Sequence, residues 1–476
     1  MDKTIKILIQ HILTYGIGGI VNGLARLALI PIISVYLPPD IFGVYSLLLM
    51  VISFLFVFFD LGLSYALIKQ YSESGKPLSR EKTVGTSITL IVTAGGFVGG
   101  IVLLNSSAVS RFLFQTTQYT PFLRLAICIA FGGSLFQLFT SILRALAKSR
   151  TYVLITSLRG VSNIVFTVSL VILFSLGMEG FLWGALISFI LGIAAFLIIF
   201  KPSVTFSIDF AKRLLLFGLP LMPSNLAIWL LTYADLYLLK TITGLKAVGL
   251  YQFAQEVCAV IALLLVSFER AWPQFVFSRN REESAVLRFQ RIFILFFSTL
   301  TFCGLAISIF RFELLSILSA EAYEASAKVI PLLVCSGILY GTYYVFGSGL
   351  LIKGKTIYFP LITLSAAALN ILLNIILIPS YGIVGAGFAT VCTNCLMSLA
   401  ILFLSNRYYP ICFDFRKVFL VGGVGVIAYT MHSVFREFVP YPFILGILLM
   451  ATFSLCLWKF VFLRSEEDFD TSDVFR

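Results

Sequence analysis

Residues 356–406, between Lys355 and Arg407, contain no Asp, Glu, Lys or Arg, and one polar turn, Pro379-Ser380-Tyr381-Gly382, interrupts them. Two membrane crossings fit there, because about 20 residues rising about 1.5 Å each traverse roughly 30 Å of hydrocarbon. Other uncharged gaps run from Lys82 to Arg111, Glu179 to Lys201, Arg213 to Asp235 and Glu437 to Lys459, each long enough for a crossing. Lipid offers unpaired backbone groups no partner, so these segments must be helices. Composition agrees: 59% of the 476 residues are hydrophobic and 12% charged, against about 25% charged in a soluble domain. A soluble globular enzyme is excluded.

The same reading along the whole chain predicts an all-α integral membrane protein of about 14 transmembrane helices: 8–36, 42–68, 83–104, 120–147, 151–175, 180–200, 214–240, 248–269, 292–310, 329–352, 356–378, 383–404, 418–434 and 442–462. The first span is too long for a signal-peptide core and is followed by Leu37-Pro38-Pro39-Asp40 rather than a small-residue cleavage site, so it is expected to stay in the mature protein. Basic residues set the orientation. With the N-terminus in the cytosol, 25 of the 34 basic residues fall on the cytosolic side, seven on the outer side, and Arg26 and Arg159 within spans. Missing one helix would invert every later loop, so the alternation supports both the count and two cytosolic termini. The net charge of +12 thus reads as a topology signal and not as a nucleic-acid footprint.

The two halves of the chain echo each other. Gly43-Val44-Tyr45 and Gly249-Leu250-Tyr251 lie 206 residues apart, and Lys148, Arg150 and Thr151 recur as Lys353, Lys355 and Thr356 at an offset of 205, as do Gly177 and Gly180 at Gly382 and Gly385. A repeat of six helices is even, so both copies enter the membrane in the same orientation. Such parallel repeats, related by an axis along the membrane normal, build alternating-access transporters with substrate held near the midplane between lobes. The expected organisation is a lobe at 1–206, a pseudo-symmetric lobe at 207–410, and two appended helices with an acidic cytosolic tail at 411–476.

At these residues the chain resembles a family. Tyr36-Leu37-Pro38-Pro39-Asp40-Ile41-Phe42-Gly43-Val44-Tyr45-Ser46 and Phe59-Asp60-Leu61-Gly62-Leu63 look like the start of the O-antigen (Wzx-type) flippases of the multidrug/oligosaccharidyl-lipid/polysaccharide (MOP) superfamily. Lys353-Gly354-Lys355, Leu369-Asn370, Asn374 and Ile378-Pro379-Ser380-Tyr381-Gly382-Ile383-Val384-Gly385-Ala386-Gly387 are similar to that family's eleventh and twelfth helices, and Asp235 with Val248-Gly249-Leu250-Tyr251 to its seventh-to-eighth helix junction. The resemblance covers residues 8 to about 404. It implies two six-helix bundles around a V-shaped central cavity opened alternately to either face. The implied substrate is an undecaprenyl-pyrophosphate-linked oligosaccharide, a precursor of O-antigen, capsule or exopolysaccharide, turned from the cytosolic to the outer leaflet of a bacterial cell (inner) membrane, with polysaccharide polymerase machinery as a downstream partner.

A charge at bilayer depth costs about 2.5–3.5 kcal/mol on insertion scales, so each should face a partner or a wet cavity. Arg26, deep in the first span, either lines the cavity, where its guanidinium would hold a pyrophosphate or acidic sugar, or forms a structural ion pair. Arg159 either lines the cavity or snorkels to the cytosolic headgroups. Asp235 sits at the level where it would pair with Arg26, and these three are the expected substrate-binding residues. Asp60 and Glu256 are the expected ion-coupling residues, for H+ or Na+, with pairing to a neighbouring helix as the plainer role for Asp60.

Other features carry little chemistry. No catalytic residue, resident cofactor or metal site is expected: His11 and His432 are far apart in the chain, the outer loops hold no cysteine, and Cys392-x-x-Cys395 inside an apolar helix reads as packing. Gly95, Gly96, Gly99 and Gly100 form two overlapping G-x-x-x-G pairs that predict close helix packing, while Pro31, Pro220 and Pro223 predict bends in the first and seventh spans. Two other functions compete with the flippase. A drug-cation exporter of the same superfamily predicts a cavity dominated by carboxylates. A membrane glycosyltransferase or polymerase needs a wet catalytic loop, and no loop here exceeds about 25 residues.

Overall fold

A computed structural model describes residues 23, 27–73, 77–202, 205–279, 285–318, 321–411 and 413–459. Among them there are helices and no strand. Ten of these helices are long and apolar enough to cross a membrane, or eleven if the bent pair Leu245–Val257 and Ala259–Glu269 is one span. The expected fourteen is not reached among the described residues. Most of the first span lies outside the described residues, and its described part, Leu27–Tyr36, is short. Pro442–Leu457 is also short of a full crossing. Tyr358–Tyr408 runs as one element, although Gly382, at φ 55° and ψ −131°, breaks it inside the uncharged stretch. Only a residue without Cβ takes that conformation cheaply.

Contacts divide the chain into two compact units, Met1–Lys240 with Gly244–Gly249, and Thr241–Thr243 with Leu250–Arg476. In the first unit, Pro39–Asp60 begins with proline in its first turn, where no amide donor is lost, and ends as Leu61 and Gly62 turn left-handed at φ 48° and 71°. Leu63–Glu73 then resumes the span. Gly62 faces a second interrupted span, Ile208–Gly218 and Met222–Thr243, joined by a 3-10 turn at Leu219–Leu221 that carries Pro220. A Cβ on Gly62 would lie 2.4 Å from the Gly218 carbonyl oxygen, so the two breaks lie backbone against backbone.

Farther along, the Trp229 indole N–H donates to the Met50 carbonyl at 3.1 Å, and the Ser53 and Tyr233 hydroxyls are 2.9 Å apart. These contacts tie 208–240 to the first unit, although the repeat aligns this segment with the first helix of the chain. Sequence correspondence and packing therefore draw different boundaries here.

The core of this unit joins Leu63, Leu67, Ile91, Phe139, Ile142, Phe196 and Leu214, with the Phe139 and Phe196 rings stacked at 4.2 Å. Glycines let the helices close. Gly184 and Gly192 of Gly177–Phe200 lie against Thr167 and Phe136. The overlapping G-x-x-x-G pairs are only half used: Gly95 lies against Phe131 and Gly99 against Phe59 and Ile127, but nothing approaches a Cβ built on Gly96 or Gly100 within 4 Å. Four glycines in six residues cover more of the helix than one packed stripe, and the second pair looks outward.

In the second unit, the Trp272 indole N–H reaches the buried Ser348 hydroxyl at 3.0 Å, and Phe268 stacks on Phe296 at 3.7 Å. Gly341 admits Leu300 and Leu265 to the backbone of Ile330–Phe346. Phe415–Phe435 and Pro442–Leu457 pack beside Ala285–Ile309, with Gly425 against Thr301 and Phe453, and Gly446 against Ile309 and Phe310.

Candidate functional site

The repeated glycine motif makes a contact that its spacing alone did not reveal. A Cβ on Gly43 would lie 2.1 Å from the Leu245 carbonyl oxygen, and one on Gly249 would lie 1.9 Å from that of Pro39. Pro39 and Leu245 are separated by the same offset of 206 as the two glycines. Each copy of the motif therefore presents its glycine to the first turn of the other copy's helix, in a locally two-fold arrangement. Both halves of this contact belong to the first unit.

Arg26 lies outside the described residues, so its expected pairing with Asp235 does too. Asp235 is buried, and its Oδ1 accepts the Leu236 backbone N–H at 2.9 Å. Arg159, on Ser149–Val168, is placed by two neighbouring helices: its guanidinium carbon lies 4.3 Å from the Phe189 ring centroid and 5.6 Å from that of Phe136. Its Nε is buried without a hydrogen-bond partner, and no carboxylate pairs with it among the described residues. Aromatic faces stabilise the cation without neutralising it. The guanidinium thus keeps donors for an anion.

Asp60 is also buried, but its position explains it differently. It ends one helix and accepts the Ser64 hydroxyl one turn on, with Arg144 in electrostatic range. Its observed partner is therefore a side-chain hydroxyl across the break between Pro39–Asp60 and Leu63–Glu73. Asp60 and Arg159 share no bond. In the second unit, buried Glu256 accepts from the Gln252 side-chain amide at 3.1 Å, one turn away.

Two groupings in the second unit escaped the search for charges. Asn374 donates to the Asn370 side-chain oxygen at 2.9 Å, Asn370 reaches the Thr393 hydroxyl at 3.5 Å, and Asn394 donates to the Ser336 carbonyl at 3.1 Å. The Asn374 Oδ1 is buried and accepts nothing. Two asparagines four apart in an uncharged span were the available signal, since amides on one helix face bond across or along helices. The second grouping is aromatic: Tyr344 donates to the Tyr340 hydroxyl at 3.1 Å, and Phe268 stacks on Trp272 and Phe296. Among the described residues, no three His, Cys, Asp or Glu side chains converge as a metal site.

Comparison with known proteins follows the same line. Residues 8–276 match the family described as polysaccharide biosynthesis protein. An uncharacterized membrane protein of Methanocaldococcus jannaschii is 23% identical, over 89% of this chain and 88% of its own. Among solved structures, the lipid II flippase MurJ in an inward closed conformation superposes with a TM-score of 0.75 at 15% identity, covering 95% of this chain and 99% of its own. An inward-facing multidrug resistance transporter of the MATE family gives 0.65 at 16%, over 82% and 94%. A MOP superfamily transporter from Pyrococcus furiosus, described as having a binding pocket of reversed polarity, gives 0.60 at 15%, over 84% and 95%. At such identities these structures speak to the fold alone. The chain belongs to the polysaccharide biosynthesis protein family and has the fold of the MOP superfamily's flippases and transporters.

Proposed function

We propose that the chain is a flippase that carries an undecaprenyl-pyrophosphate-linked oligosaccharide from the cytosolic to the outer leaflet of a bacterial inner membrane. The observation that carries this reading is the family match over residues 8–276 on the fold shared with a lipid II flippase. Arg159 adds chemistry to it, as a ring-bounded guanidinium at bilayer depth with an unused Nε donor. In the proposal Arg159 and Arg26 hold the pyrophosphate through charge-assisted hydrogen bonds, and Asp235 answers Arg26 when the substrate is gone. The lobes 1–206 and 207–410 rock about a midplane site, the prenyl tail trails in lipid, and both termini stay in the cytosol with 411–476 appended. Glu256 and Asp60 are the carboxylates proposed to couple H+ or Na+, each holding one side-chain hydrogen bond, from Gln252 and from Ser64. The delivered repeat unit would pass to polysaccharide polymerase machinery.

A second reading, export of drug-like cations, draws on the fold shared with the MATE transporter. The two separate in parallel reconstitutions. The flippase reading expects a labelled sugar-pyrophosphate-prenol to cross protein-containing liposomes faster than protein-free ones, with no efflux of ethidium. Ethidium efflux without lipid movement would replace it by the second reading.

A further inference from the structure

Where Ala285–Ile309 and Phe415–Phe435 end, two groups of three side chains far apart in sequence meet: Arg311, Phe312 and Glu313 with Tyr429, His432 and Arg436. Both guanidinium groups use the Phe312 ring, that of Arg436 at 3.6 Å from the centroid and that of Arg311 at 4.6 Å, and Arg311 also lies 5.4 Å from the Tyr429 ring. One carboxylate answers two cations: Glu313 Oε1 is 3.9 Å from Arg436. Arg311 spends one donor on the Ser308 carbonyl at 2.6 Å. The acid next in sequence, Glu437, is exposed.

The polar atoms that remain are unusual. Arg436 Nη1, Glu313 Oε2 and both ring nitrogens of His432 are buried without a hydrogen-bond partner, and His432 is fully enclosed, with the Pro442 backbone beside it making no well-formed bond. A buried polar group without a partner is costly, and here four such atoms from three residues converge on one place. With a neutral imidazole these four atoms are two donors and two acceptors, while two arginines against one glutamate leave the cluster cationic. The surroundings fix the depth. Phe438 and Tyr441, in the turn between the last two helices, are exposed aromatic residues of the kind that sit at headgroup level.

We propose that this cluster binds a phosphate group at the membrane–water interface, supplied by the headgroup of an anionic lipid. A phosphodiester offers oxygens to the Arg436 guanidinium, whose side chain is 25% exposed, with Arg311 adding positive charge on the shared Phe312 ring. A hydroxyl beside that phosphate, as in phosphatidylglycerol, offers Glu313 Oε2 the donor it lacks. Phosphatidylcholine has the phosphate but neither the net charge nor the hydroxyl. The site lies apart from the residues assigned to sugar-lipid transport and does not depend on that assignment.

The test uses the full chain in nanodiscs of phosphatidylcholine alone or with one part in five phosphatidylglycerol. Lipid retained on the purified protein should be enriched in phosphatidylglycerol about tenfold over the bulk, as one or two charge-assisted hydrogen bonds predict. The thermal midpoint should be higher in the mixed discs, and Arg436→Gln should abolish both effects. If that variant does not fold, Arg436→Lys, which keeps the charge and loses the fork, should lower the enrichment severalfold. Inorganic phosphate or glycerol phosphate added to phosphatidylcholine discs separates the sources: a raised midpoint there supports the phosphate site with a soluble ligand. Bulk lipid composition on the wild-type protein, together with no response to either soluble phosphate, would overturn the proposal.

Discussion

Gly249→Ala is the sharpest single perturbation of this fold. The new methyl carbon would lie 1.9 Å from the Pro39 carbonyl oxygen, and Gly43→Ala would place one 2.1 Å from that of Leu245. Carbon and carbonyl oxygen approach to about 3.3 Å at closest, so the helix starts must part by roughly 1.4 Å in the first case and 1.2 Å in the second. Both obstacles are backbone, so no rotamer change relieves either. Overpacking of this kind costs about 1–3 kcal/mol. Because the two glycines serve one contact, the double variant should cost less than the sum of the singles. Thermal unfolding of the purified protein in detergent reads this directly, with Gly96→Ala and Gly100→Ala as controls, since nothing lies within 4 Å of either new methyl. The controls should unfold within about 0.5 kcal/mol of wild type. A Gly249→Ala protein as stable as the controls, or a strictly additive double variant, would refute the reasoning.

Four further outcomes are expected. Arg159→Gln should slow sugar-lipid flipping by tenfold or more, since a charge-assisted hydrogen bond contributes about 1.5–3 kcal/mol. Arg159→Lys should rescue it only in part, because a point charge loses the planar stacking on Phe189. Asp60→Asn, which keeps an acceptor for Ser64 but loses the charge, should weaken ion-dependent transport, whereas Asp60→Ala should also lose about 1 kcal/mol of stability. Glu256→Gln should abolish the response of flipping rate to an imposed H+ or Na+ gradient. Trp272→Phe should destabilise by about 1 kcal/mol, measured by thermal unfolding, by removing the N–H that reaches buried Ser348.

Hydropathy made the crossings legible because lipid imposes one rule on every residue of a span. It could not assign faces. Gly95 and Gly96 look alike in sequence, yet only Gly95 meets a ring. Asp60 has its hydroxyl partner, Ser64, four residues on, a spacing that is readable in the sequence. The Asn370 and Asn374 pair, four residues apart, is equally visible, but its bond to Thr393 depends on residues farther along the chain. By contrast, the rings flanking Arg159 come from two other helices, and Arg311 and Arg436 meet on Phe312 across more than a hundred residues. Periodicity says that a helix has a buried side. Which neighbour buries it is set by packing among all the helices at once.

The central claim is that this chain moves a pyrophosphate-linked sugar across a bilayer. The direct measurement is the initial rate at which a fluorescent sugar-pyrophosphate-prenol, loaded on the inner leaflet of proteoliposomes, becomes accessible to an external sugar-modifying enzyme. The rate should rise in proportion to protein per vesicle and fall to the protein-free level when Arg159→Gln replaces the wild type. A rate independent of protein content, in vesicles where the protein is folded and correctly inserted, would contradict the account.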